Sequence, residues 1–533
     1  MHQRFRTVLA AAVAATLTGG LLALAGTPAT ASPGAEGSVA EADFDRDGFR
    51  DLVVPTPDAT VAGRRNAGAV TVLHGSPSGA GAARRTTVSR NTPGVPGTAE
   101  RGERFGHATA VGDFDNDGYA DLAVGVPHAA ASGGLSEDTA EDRSQGTSGD
   151  RSQGTPGDSP QGTSGEGSAS GSGERSEGSP GIRAAGSVQI LWGSAAGLTG
   201  GTTLAGPAPT ARSRFGQALA AGDFDGDRRT DLAVGTASAT LRIFKRGIAR
   251  TGTAGARQDV RTPVRGGTGR GIVRLTAGEV TADERTDLVV GGASGTAGAH
   301  ARHANSFLPG SASGPDASRA KQLPAGAFTA IGDVNGDTYG DLVGGLPEGT
   351  GARGGRVDVV YGSPFGPTRR RDTITQESGA LPGGSEAGDG FGRAVTLGDI
   401  NGDGFQDLAV GTPHEKLPAT AGTGSVTVVY GSSTGLNTGH VQSFHQGTPG
   451  VPGSPDLPEV FGGTVVLSDL TGDGRADLTV GADSAEEGVG SLVTLLSDGT
   501  SVTTAGAGAL LRSPLDTSAV PAGLPRYESF ISG

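Results

Sequence analysis

The chain of 533 residues holds 97 glycines, no cysteine and only 4% aromatic residues. Each interior glycine weakens a helix by roughly 1 kcal/mol relative to alanine, so this composition favours a turn-rich, all-β fold. The lack of cysteine excludes a disulfide scaffold, a thiolate zinc site and a cysteine nucleophile. With 56 acidic against 42 basic residues the net charge is −14, the wrong sign for gripping a phosphate backbone, and no nucleic-acid partner is expected.

At the N-terminus, Arg4 and Arg6 precede an Ala/Leu-rich run from Val8 to Ala25, and Ala29-Thr30-Ala31 follows with the small-x-small pattern of a cleavage site. This layout predicts a signal peptide over residues 1–31 and a secreted mature chain over 32–533. Thr16, Thr18, Gly19 and Gly20 interrupt the apolar run, which argues against a retained anchor, so no membrane span is expected after cleavage.

Beyond that point an acidic nonapeptide recurs, followed by Leu and a small-residue strand. It reads DFDRDGFRD from Asp43, DFDNDGYAD from Asp113, DFDGDRRTD from Asp223, DVNGDTYGD from Asp333, DINGDGFQD from Asp399 and DLTGDGRAD from Asp469. A seventh, eroded copy, EVTADERTD, runs from Glu279 to Asp287 in the same register after Gly278. The starts lie 54 to 70 residues apart except for one interval of 110. That interval contains residues 130–183, almost entirely Gly, Ser, Glu, Asp, Gln and Arg, with too little apolar surface to offset its ordering entropy. A disordered insertion within the second unit is expected there.

Two further signals recur at fixed places in the units. Phe-Gly opens a strand before the acidic loop, as Phe105-Gly106, Phe215-Gly216, Phe391-Gly392 and Phe461-Gly462, with Phe328 alone in the fifth unit. An alternating strand and a Gly-Ser-x-x-Gly turn follow it, as in GSVQILWGSAAG from Gly186 and GSVTVVYGSSTG from Gly424. The period-two pattern gives each unit four strands with the acidic loop after the first. Four strands with so few large side chains cannot bury a core alone, whereas seven around an axis cover one another. The expected fold is a seven-bladed β-propeller of four-stranded blades rather than an open solenoid. Because the first unit lacks a Phe-Gly strand, the segment Tyr527 to Gly533 is expected to complete its blade.

In D-x-D-x-D-G-x-x-D, carboxylates at positions 1, 3, 5 and 9 surround a tight turn. Calcium takes six to eight oxygens at about 2.3–2.6 Å, and such a loop can supply them. An EF-hand would need Glu at position 12, where the second and sixth copies have Val124 and Val410. The expected calcium ligands are Asp43, Asp45, Asp47 and Asp51; Asp113, Asp115, Asp117 and Asp121; and Asp223, Asp225, Asp227 and Asp231. In the later units they are Asp333, Asn335, Asp337 and Asp341; Asp399, Asn401, Asp403 and Asp407; and Asp469, Asp473 and Asp477, with Thr471 at position 3. About six Ca2+ sites are expected, the loop from Glu279 to Asp287 being weak or empty.

Together these signals, with Gly-x-Pro at Gly125-Val126-Pro127 and Gly411-Thr412-Pro413, resemble FG-GAP repeats, those of the integrin α-subunit propeller and of many secreted bacterial proteins. The resemblance implies a seven-bladed propeller with calcium in the loops joining the first two strands, and it implies no single function. Ser433, within a G-x-S-x-G sequence, sits where other units have a hairpin turn, so no catalytic residue is assigned. The expected function is a secreted calcium-binding module, a monomer, that binds an extracellular protein or glycan on the face opposite the calcium loops. The alternatives are an extracellular hydrolase or lyase acting on polysaccharide or phospholipid, and a structural cell-surface protein.

Overall fold

The computed structural model describes residues 41–81, 84–129, 185–206, 213–264, 271–294, 302–347, 353–416, 424–453, 459–484 and 491–510. The proposed signal peptide, the insertion at 130–183 and the segment from Tyr527 to Gly533 all lie outside these residues. The described strands form seven antiparallel sheets of four, each made of strands consecutive in the chain. The molecule is a seven-bladed β-propeller.

Blade two shows the pattern. Strands β5 (Thr109–Gly112), β6 (Asp121–Val126), β7 (Ser187–Trp192) and β8 (Thr199–Ala205) pair in order. Leu122 faces Leu191 and Gly125 faces Val188 across β6 and β7, so the long segment 127–186 is spliced between two neighbouring strands. Interior positions are filled by β-branched residues and Leu, and the hydrophobic clusters straddle blade boundaries. Val53, Val70 and Val72 of blade one share a cluster with Leu122, Val124 and Leu191 of blade two.

Phe-Gly belongs to the joints between blades. The Phe105 amide donates to Ala67 O at 2.8 Å, Phe215 to Ala185 O at 3.0 Å and Phe391 to Gly354 O at 2.7 Å, each acceptor lying in the preceding blade. The rings of Phe105, Phe215, Phe391 and Phe461 are buried. The glycine then lets two backbones touch. A Cβ on Gly125, Gly345 or Gly411 would sit 2.1, 1.8 or 1.9 Å from the carbonyl oxygen of Gly216, Gly392 or Gly462 in the next blade. Glycine is required at these positions because only a bare Cα allows that approach.

The expectation for Tyr527 to Gly533 lies outside the described residues, among which blade one is completed within its own unit. The place beside β2 (Asp51–Thr56) is taken by β1 (Glu41–Ala42), Glu41 facing Leu52 and Ala42 facing Asp51. Blade one thus supplies all four of its own strands, and its first is too short and lacks Phe-Gly to be read as one. Ring closure comes from side chains: Leu52, Val54, Leu73 and Ala80 of blade one cluster with Val466, Leu470 and Leu492 of blade seven. The Ser76 amide also donates to Leu470 O at 3.2 Å.

Gly411→Ala should therefore destabilise the protein by about 1–3 kcal/mol, the usual cost of overpacking. Gly384→Ala, where an added Cβ meets nothing within 4 Å, should be near neutral. Denaturant melts of the two variants beside the parent check this.

Candidate metal centres in the acidic loops

Eight residues separate the first and second strands of every blade, from Gly112 to Asp121 in blade two as from Gly278 to Asp287 in the eroded blade four. Two anchors hold each loop. Position 2 is an apolar plug with no exposed surface: Phe44, Phe114, Phe224, Val280, Val334, Ile400 and Leu470 all show 0% exposure. Position 9 is a carboxylate clamp. One oxygen of Asp121 accepts from the Phe114 amide at 2.9 Å and the other from the Gly193 amide, in the turn after the third strand, at 2.8 Å. The same pair of bonds forms at Asp51, Asp231, Asp287, Asp341, Asp407 and Asp477.

Position 1 closes the turn. Asp113 accepts from the amides of Asp117 at 3.0 Å and Gly118 at 2.9 Å, and Asp43, Asp333, Asp399 and Asp469 do likewise. In blade three the position-6 donor is Arg228, bonded to Asp223 at 2.6 Å with φ of 64°. Thr338 does the same in blade five with φ of 74°. The turn therefore forms at these two positions without glycine, with a left-handed backbone that side-chain-bearing residues adopt at some cost.

Among the described residues, three carboxylates bring oxygens within 4.8 Å of one another in blades one, two and three: Asp43, Asp45 and Asp47; Asp113, Asp115 and Asp121; Asp223, Asp225 and Asp231. These clusters could hold a metal ion. The expected quartets converge as trios, Asp51, Asp117 and Asp227 standing outside them. Asp117 is held by Arg250 Nη2 at 2.7 Å, and Asp51 by its two amides and His74 Nδ1 at 3.2 Å. In blades five and six the amides of Asn335 and Asn401 donate to Asp337 and Asp403 at 3.1 and 2.9 Å, so part of the acidic charge is met by a neutral group. In blade seven Asp473 accepts from its neighbour Arg475.

The donor set fits a hard cation. Asp115 Oδ1 is buried within its trio without a hydrogen-bond partner, and an ionised oxygen left so is costly unless a cation meets it. Basic side chains reach the same carboxylates. Arg84 lies 2.9 Å from Asp47 and 3.5 Å from Asp45, Arg250 lies 2.5 Å from Asp115, and Lys245 lies 3.1 Å from Asp225. Sequence reading missed them because they come from other strands, Arg250 from 135 positions away in blade three.

On the opposite face several acidic groups are tied up within the fold. Glu103, 1% exposed, is ion-paired with Arg90 and accepts from the Glu100 amide. Asp389, equally buried, accepts from the Glu386 amide. The repeated TPGVPG turns bury Val95 and Val451 as matching plugs, and Ser433 lies in the hairpin turn closed by Ser432 Oγ on Gly435 O at 2.7 Å.

Comparison with known proteins bears on the same elements. The FG-GAP repeat model matches residues 37–73, 105–137, 215–255 and 391–429, the acidic loops of blades one, two, three and six. FG-GAP repeats thus occur at four places in this chain. The chain is 35% identical to bovine phosphatidylinositol-glycan-specific phospholipase D over 161 residues, 29% of this chain and 18% of that protein. It is 33% identical to integrin alpha-PS2 of Drosophila melanogaster over 175 residues, 30% and 12% of the two chains, and 33% identical to integrin alpha-3 of Cricetulus griseus over 189 residues, 33% and 16%. The matched segments span about a fifth or less of these relatives' lengths. Among the described residues no helix is long and apolar enough to cross a membrane.

Burial pushes the position-9 carboxyls upward, to about 7 for Asp121, Asp231, Asp341 and Asp407 and to about 6 for Asp287 and Asp477, against an ordinary value of 3.8. Between those values the folded ring binds more protons than the unfolded chain, so stability falls as pH rises. In excess chelator the melting temperature should drop from about pH 5 to pH 8, and calcium should restore most at pH 8. A melting temperature that rises with pH in chelator would overturn this. Asp287→Asn, in the loop with no carboxylate trio, leaves one buried amide without an acceptor and should cost about 1–3 kcal/mol with calcium or with chelator alike.

Proposed function

We propose that this protein is a secreted, calcium-stabilised propeller that binds an extracellular protein or glycan on the face opposite its acidic loops. The observation that carries the reading is the contrast between the two ends of the ring. At the acidic end every loop joining first and second strands has the same length and the same clamp. At the other end the second and third strands are separated by residues 127–186 in blade two and only 236–239 in blade three. A rigid, uniform face beside one with freely varying loops is the usual division between scaffold and recognition surface. Three carboxylate trios and an orphaned Asp115 oxygen support calcium as the stabilising ion, and the likeness to integrin alpha chains supports a ligand-binding module. The signal layout at residues 1–31 supports secretion, and a ring that closes on itself supports a monomer.

The test is an array of extracellular proteins and glycans probed with the mature chain, with calcium and with chelator. Specific binding that persists after substitution of the trios, provided the ring stays folded, is expected. Release of a phosphatidylinositol-glycan-anchored protein by the chain would replace this reading with a hydrolase. Saturating calcium should raise the melting temperature by about 10 °C over chelator through binding to the folded state alone. An unchanged melt would remove calcium from the proposal.

A further inference from the structure

Three acidic loops carry the trios, and in each a basic side chain lies against the position-3 carboxylate. The three differ in freedom. Arg84 and Arg250 are half exposed, with side-chain exposures of 51% and 50%, and can swing into water when a metal arrives. Lys245 cannot. Its side chain is 10% exposed and that of Asp225 is 4%, and its ammonium donates to Ser313 O of blade four at 2.8 Å. It therefore bridges the joint between two blades while facing Asp225 Oδ2 at 3.1 Å.

Its place in the fold is also distinctive. Lys245 occupies the residue just before the amide that clamps the position-9 carboxylate, since Arg246 N donates to Asp231. The corresponding residues are Trp192, Tyr361 and Tyr430 in blades two, five and six, where Gly193, Gly362 and Gly431 supply that amide. An uncharged ring in those blades is a fixed ammonium in blade three. A divalent ion seated among Asp223, Asp225 and Asp231 would share Asp225 with that ammonium, and the two positive charges would repel across one carboxylate in a site largely shielded from water.

We propose that Lys245 is a built-in cation that takes the place of the metal in the third acidic loop, so that this loop keeps its shape without calcium while the first and second take it up. Asp225 Oδ1 is buried without a partner just as Asp115 Oδ1 is, so what separates the two loops is the basic side chain on the other oxygen, fixed at Lys245 and half exposed at Arg250. This rests on the calcium reading for the neighbouring loops and refines it: four carboxylates in one loop do not suffice where a lysine is locked among them.

Counting bound calcium by equilibrium dialysis of the full chain tests it. Asp113→Asn should lower the count by one, Asp223→Asn should leave it unchanged, and Lys245→Met should raise it by one. Loss of one ion in Asp223→Asn would overturn the proposal, and that variant decides the matter if Lys245→Met does not fold. If the parent bound no calcium, the calcium reading would fall, and melting in chelator would still judge the lysine. Asp225→Asn strands a buried ammonium and should lower the melting temperature more than Asp115→Asn, whose arginine is free to leave. Equal losses would overturn the proposal.

Discussion

Everything at the acidic end of this ring depends on one buried carboxylate per blade whose two oxygens are each taken by a backbone amide. Burying such a group unaided would be prohibitive, and two amide donors from different segments offset much of that cost. The bond to position 2 fixes the loop's start, and the bond to the turn after the third strand ties that loop across the sheet. The remaining acidic groups are then held close together whether or not a cation is present, which is why the framework survives in blade four with Glu279 where the other six loops have Asp and Thr281 where blades one to three have Asp. Metal capacity and loop geometry are separable: Asp287 keeps the clamp in a loop without a carboxylate trio.

Much of this was legible in the sequence. The recurring nonapeptide and the alternating third strand determined blade number, strand count and the position of the acidic loops, because each is a local pattern whose period survives erosion. The position-9 aspartate reads as a ligand like the others, and only its amide partners reveal that it also clamps the loop. Phe-Gly reads as the opening of a strand, yet its work is done on the blade before it. The short β1 escaped notice since two residues carry no period.

What could not be read are charges supplied across the fold. Arg84 lies almost forty positions from the aspartates it meets, and Arg250 belongs to another blade. No spacing rule connects such residues, because their proximity is a property of ring closure and strand order. The same holds for Lys245, which in the sequence is one more basic residue in a strand and in the fold is the only ammonium bound both to an acidic trio and to the next blade among the described residues.

The docking of each Phe-Gly on the preceding blade has a consequence for how such rings can grow or exchange parts. A sequence repeat lifted out whole would carry its phenylalanine amide away from a carbonyl such as Ala67 O, leaving an acceptor bare at one cut and a donor bare at the other. The unit that keeps each phenylalanine amide with its carbonyl is offset from the repeat, running from the end of the loop before the third strand of one blade through the second strand of its successor. Recombination at the repeat boundary breaks that hydrogen bond, whereas a crossover earlier in this loop, where the long segment of blade two is already spliced, keeps it and gives up only the close approach of glycines such as Gly125 and Gly216.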